Sequence, residues 1–213
     1  MMRTLFYRWL FFLSGLIILA LGFTMIIKAN KLGIGPWDVL HVGLFMNFGL
    51  TIGTWSIIVS FILIIISTVS QRRIPQIGTF LNMILIGVFI DIYYFLIPDI
   101  PSLTGQVMIL IGGIIVSGFG VGIYVAPKIG AGPRDSLMLV LMQKTGLSVT
   151  VVRAGIEITA ALIGWTLGGP VGIGTIAVAL ITGRIVQFTL PQAEALLKRI
   201  IEKKDELPPV LKV

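Results

Sequence analysis

Two short runs hold the residues best able to do chemistry. The first is Gly35-Pro36-Trp37-Asp38, preceded by Lys31; the second is Gly132-Pro133-Arg134-Asp135, preceded by Lys128. Proline is favoured in a first helical turn, where its missing N–H would be unpaired anyway. The glycine before it lets the chain turn. Asp38 and Asp135, two residues further on, suit the free N–H groups and positive dipole end of a helix start. One reading is that both runs are capped helix starts and nothing more. The other is that they face a shared cavity. Helix N-termini there attract an anionic group, Asp38 and Asp135 bind a cation or proton, and Lys31, Lys128 and Arg134 add positive charge. The sequence leaves both readings open.

A second set is defined by charge inside apolar runs, where charge is expensive. Glu157 precedes Pro170 by about as many residues as Arg184 follows it. A hairpin turning at 168–172 brings the two to similar depth as an ion pair. Arg153, four residues before Glu157, is a competing partner on the same helix face. Asp91, whose repeat counterpart is Gln187, is read as solvated near an interface or as part of an outer polar mouth with His41. Trp37, His41 and Trp55 read most simply as interfacial anchors.

Other chemistry finds little to stand on. With no cysteine and one histidine, disulfides, thiolate ligands and imidazole-rich metal sites are not expected. No nucleophile–base set or carboxylate cluster suggests an enzyme, and no cofactor is implied. Gly49-x-x-x-Gly53, Gly118-x-x-x-Gly122 and Gly164-x-x-x-Gly168 suit close helix packing. None of the G-x-G triplets follows a strand, so no nucleotide fingerprint applies.

The elements that must position these residues are membrane helices. Of 213 residues 56% are hydrophobic and 12% charged, with mean hydropathy +1.05. A soluble domain carries about 25% charged residues. Residues 100–127 and 158–183 contain no charge, and 39–71 have only His41 as a titratable group. The net charge of +7 lies mostly beside apolar runs, so nucleic acid is not an expected partner.

An internal repeat organises the chain. Residues 29–38 recur as 126–135 at an offset of 97, and Gly49-Leu50-Thr51 recurs as Gly146-Leu147-Ser148. Repeat 1 covers 1–98, with expected spans 6–27, 51–70 and 77–97. Repeat 2 covers 99–190, with spans 104–125, 148–168 and 171–190. Each span suits a hydrocarbon core of about 30 Å. The segments 36–47 and 133–145, after the first span of each repeat, are too short to cross and should be interfacial or re-entrant helices. The first span is too long for a signal-peptide core and has a counterpart in the second repeat.

Three spans per repeat invert the second repeat relative to the first. The expected fold is thus an all-α membrane protein of six transmembrane helices in two inverted three-helix repeats. With both termini cytoplasmic, thirteen Lys and Arg fall inside and only Lys28 and Lys31 outside, as the positive-inside rule requires. After Pro191, the tail 191–213 sets Leu196, Leu197, Ile200 and Ile201 beside Lys198, Arg199, Lys203 and Lys204, with Lys212 beyond. It reads as an amphipathic helix on anionic inner-leaflet lipid, ended by Pro208-Pro209.

The run 33–41, the run 130–135 and the segment Ile163–Thr175 resemble the YczE/YyaS/YitT-type family of bacterial membrane proteins. The resemblance spans Phe6 to Leu190, departing at 44–47 and 149–152, where relatives are richer in arginine. It implies a multi-pass bacterial plasma-membrane protein of a family often suspected of transport, and supplies no substrate. The leading expectation is a small secondary transporter for an amphipathic or anionic organic solute, with the bilayer and a small-molecule or lipid-like substrate as partners and homo-oligomerisation open. The alternatives are a membrane-embedded substrate-binding subunit of a larger transporter, or an accessory protein for lipid or partner enzymes.

Overall fold

The computed structural model describes residues 2–130 and 132–205, and the side chains of 3–130 and 132–202. The helices are α1 (Met2–Lys28), α2 (Pro36–Phe48), α3 (Ile52–Gln71), α4 (Ile77–Leu96), α5 (Leu103–Val125), α6 (Pro133–Thr145), α7 (Val149–Thr166) and α8 (Ile173–Asp205). A short 3-10 turn, Asn30–Leu32, follows α1. Among the described residues there is no strand. All but α2 and α6 are long and apolar enough to cross a membrane, six candidate spans in all.

Local chemistry sets the boundaries, and it repeats between the halves. α2 and α6 each begin with proline. They end at Gly49 and Gly146, with φ of 71° and 68°, a conformation glycine adopts without steric cost. The next helices are capped alike. Thr51 accepts from the Thr54 N–H at 3.0 Å, and Ser148 from the Val151 N–H at 3.4 Å. Such a cap satisfies one of the free donors of a helix start.

The centre is an antiparallel pair, α1 and α5. Gly15 lies against Tyr124, Leu19 against Gly120, Gly22 against Ser117 and Ile26 against Gly113. Glycines on both helices bring the two backbones close, because a Cβ at Gly22 or Gly120 would overlap the opposite main chain. Phe12, Leu16 and Ala20 on α1 are fully buried.

Around this pair the halves reach across to each other. α2 packs on α7, and α6 packs on α3. The start of α4 meets the loop before α6, with Gly78 against Ile129 and Gly130 against Thr79. The start of α8 meets the loop before α2, with Gly172 and Gly174 against Leu32 and Gly33. The Ile34 N–H donates to the Pro170 carbonyl at 3.3 Å, and Arg8 donates to the Pro127 carbonyl through Nε at 2.9 Å.

One boundary differs from expectation. A separate tail helix was expected after Pro191, yet α8 runs unbroken from Ile173 to Asp205 with Pro191 inside it. Proline removes one helical donor, but contacts on its far side hold the helix. Ala193 and Leu197 are buried, and Glu194 pairs with Lys128 at 3.3 Å. Leu197 therefore faces protein, while Leu196 remains exposed. The stop expected at Pro208-Pro209, Lys212, and the side chains of Lys203 and Lys204 lie outside the described residues.

Candidate functional site

Both Gly-Pro-x-Asp helix starts open into one cavity of about 190 Å³. All eight helices contribute to its wall. Gly35, Pro36, Trp37 and Asp38 enter from α2, and Gly132, Pro133, Arg134 and Asp135 from α6. α1 supplies Leu19 and Phe23, and α5 supplies Tyr124. Polar side chains come from α3 (Ser56, Ser60), α4 (Asn82) and α8 (Thr182), and charged ones from α7 (Arg153, Glu157). A helix can end on a cavity inside a membrane protein because the freed backbone groups face polar neighbours rather than lipid.

In each motif the aspartate folds back over the glycine. A Cβ on Gly35 would lie 2.5 Å from Asp38 Oδ2, and one on Gly132 would lie 3.3 Å from Asp135 Oδ2. The backbone at both glycines, with φ of −57° and −62°, is one that any residue adopts, so the turn itself does not call for glycine. Asp135 Oδ2 accepts a hydrogen bond from the Tyr124 hydroxyl at 3.4 Å.

Arg134 dominates the electrostatics. Its guanidinium carbon lies 4.9 Å from the Trp37 ring centroid and 5.4 Å from that of Phe23. Among the described residues no carboxylate lies within ion-pair distance of it. The other cation of the lining is spoken for, since Arg153 Nε donates to Glu157 Oε1 at 2.9 Å. The cavity therefore holds one guanidinium with its face held by aromatic rings and its edge free for a ligand. That arrangement suits bidentate recognition of a carboxylate or phosphate.

Several expected residues fall elsewhere. Lys31 and Lys128 do not reach the cavity. Lys31 is exposed and donates to the Pro101 carbonyl at 2.8 Å, while Lys128 points outward to Glu194. Both precede the helix starts by several residues, and the intervening turns aim them away. The pairing of Glu157 with Arg184 is also corrected. Glu157 takes Arg153 one turn away, and Arg184 is exposed with no ion pair among the described residues. The expected hairpin does not form: α7 packs on α2 and α8 on α5, so these two consecutive helices do not lie side by side.

His41 and Trp37 are not surface anchors. They are 1% and 8% exposed, because the first turns of α2 are enclosed by protein. Trp55 is half-buried, donating Nε1 to the Gly49 carbonyl at 2.8 Å and packing on exposed Phe48. Asp91 does specific work that the sequence reading missed. It accepts from the Gly53 N–H at 2.7 Å and the Thr51 hydroxyl at 2.5 Å, which ties α4 to the start of α3. Its counterpart Gln187 is exposed, so the two sites are not alike. Tyr124, Asn82, Ser56, Ser60 and Thr182 were also missed; a polar side chain inside an apolar run was the available signal.

Comparison with known proteins places these observations in a family. A family model described as a family of unknown function (DUF6198) matches residues 6–191. The uncharacterized membrane protein YczE of Bacillus subtilis (strain 168) is 45% identical over 204 residues, covering 96% of this chain and 95% of that protein. An uncharacterized protein of Haemophilus influenzae is 36% identical over 178 residues, covering 84% and 81%. The uncharacterized protein YyaS of Bacillus subtilis is 27% identical over 190 residues, covering 88% and 94%. No solved structure matches.

Proposed function

The chain belongs to DUF6198, a family of unknown function, and we propose that it is a small secondary transporter of the bacterial plasma membrane, taking a small anionic or amphipathic organic solute. The observation that carries this reading is convergence. Two helix starts of identical design open on one cavity, and the guanidinium of one, unpaired among the described residues, lies over the Trp37 ring of the other. Helix N-termini directed at a central site are the usual solute-binding device of inverted-repeat carriers. A carboxylate of the solute sits against Arg134, and Phe23, Met83, Ile86 and Met138 take its apolar part. The volume of about 190 Å³ is below the range of about 300–1,000 Å³ typical of drug-sized ligands, so the solute is small.

The inverted arrangement is part of the same proposal. It is supported by the antiparallel α1–α5 pair and by the reciprocal packing of α2 on α7 and α6 on α3. Both termini then lie in the cytoplasm, and the two motifs approach the cavity from opposite sides.

The test uses purified protein in nanodiscs and a thermal-shift panel of small carboxylates and organic phosphates, followed by uptake of any hit into proteoliposomes. A subset should raise Tm in the wild type and not in Arg134→Gln. A panel without hits, or binding that survives Arg134→Gln, counts against the reading.

A further inference from the structure

Asp38 and His41 stand one helical turn apart on α2, 3% and 1% exposed. Among the described residues, Asp38 Oδ1 and both ring nitrogens of His41 are buried without a hydrogen-bond partner. His41 Nδ1 lies 4.0 Å from Asp38 Oδ1, longer than a hydrogen bond. Asp38 lines the cavity and His41 does not, so the ring sits behind the carboxylate. A buried polar atom without a partner is costly, and native proteins seldom keep one. Two of these atoms, Asp38 Oδ1 and His41 Nδ1, belong to an acid and a base that face each other, so one shared ligand would satisfy both.

The donor set selects that ligand. An anion would meet the Asp38 carboxylate. A metal ion needs more ligands than one carboxylate and one imidazole, and among the described residues no group of three His, Asp or Glu gathers anywhere. A proton needs only these two groups. We propose that Asp38 and His41 together bind one exchangeable proton, reached from the cavity past Asp38. A small rotation of either side chain closes 4.0 Å to a hydrogen bond, with the proton on the carboxyl oxygen or on Nδ1.

The proton would act on Arg134. The charged and titratable groups facing the pair across the cavity are Arg134 and Asp135 from α6, Arg153 and Glu157 from α7, and Tyr124 from α5. The lining residues of α1, α3, α4 and α8 carry none. Arg153 and Glu157 neutralise each other. An ionised Asp38 competes with an anionic solute for the field of Arg134, and a protonated pair releases it. Use as a coupling proton rests on the transport reading above; binding of the proton does not.

His41 is the single histidine of the chain, so ring-15N histidine labelling reports this site alone. The experiment follows the ring 15N shifts of the full protein in nanodiscs from about pH 4 to about pH 9, bracketing the ordinary histidine range. In the wild type both resonances should move with a single midpoint, whichever atom holds the proton. Asp38→Asn should abolish the transition or move it by at least about one unit. Should that variant not fold, an aspartate carboxyl 13C signal moving at the same midpoint in the wild type serves instead. Ring signals flat across the range overturn the proposal, as does a midpoint that Asp38→Asn leaves in place or that no aspartate carboxyl signal shares. The measurement needs no solute, so its failure is distinct from a failure of carboxylate binding at Arg134.

Discussion

The Arg134 guanidinium stands 4.9 Å from the Trp37 ring, and the two residues hold the same place in the two copies of the Gly-Pro-x-Asp motif. Equivalent positions of a repeat have thus met in the middle of the molecule as unlike partners, a cation on an aromatic face. Such contacts contribute about 0.5–2 kcal/mol, more as water is excluded. Arg134→Lys keeps the charge and loses the planar stack, so it should lower Tm by about 2–4 °C, the shift expected for about 1 kcal/mol in a chain of this size. Paired with Trp37→Leu in a double-mutant cycle, it should show a coupling of about 0.5–2 kcal/mol. Additive effects would mean that the contact contributes nothing.

The charges on α7 predict a second cycle. The Arg153 side chain is 49% exposed, so its pair with Glu157 should be worth under about 1 kcal/mol. Arg153→Gln with Glu157→Gln should therefore couple weakly but measurably in chemical denaturation. Glu157→Gln with Arg184→Gln should not couple at all.

Close approach at the centre makes two glycine substitutions diverge. A Cβ on Gly120 would lie 2.5 Å from the Leu19 backbone nitrogen, whereas one on Gly183 meets nothing within 4 Å. Gly120→Ala should destabilise by about 1–3 kcal/mol, as overpacking does. Gly183→Ala should be neutral or stabilise by up to about 1 kcal/mol through helix propensity. Thermal unfolding of the two variants side by side gives the comparison.

Asp91 should matter more than its half-exposed position suggests. Asp91→Ala removes acceptors from the Gly53 N–H and the Thr51 hydroxyl. Loss of such a helix-start acceptor costs about 0.5–2 kcal/mol. Gln187→Ala, at the matching place of the second repeat, should cost little by the same assay.

The chain has no cysteine, which makes topology directly testable. Lys31 and Lys128 are both exposed and precede equivalent helix starts. Under the inverted arrangement a membrane-impermeant maleimide should label Lys31→Cys on intact cells and Lys128→Cys only after permeabilisation. Labelling of both from one side would exclude it.

Much of the fold was legible because repetition is a strong signal. The offset that joins Gly35-Pro36 to Gly132-Pro133 also joins Gly49 to Gly146 and Thr51 to Ser148, and all three pairs take matching roles. Facing was harder to read. A membrane helix is apolar on every side, so periodicity does not say which face of α2 turns inward, and buried Trp37 and His41 were read as surface residues. Chain order placed Glu157 and Arg184 on one hairpin, but α7 packs on α2 and α8 on α5, and Glu157 pairs with Arg153 one turn away. At Pro191 a change of composition looked like a break, and burial of Ala193 and Leu197 overrode it.

The crossed docking of the two loops has a further consequence. Leu32 and Gly33 rest on the start of α8, and Ile129 and Gly130 rest on the start of α4, so each half supplies the mould in which the other's helix start is cast. Each half finishes its packing only against the other. Cut between α4 and α5, the two fragments should each be incomplete alone and become complete only in company, like two hands that take their grip from one another.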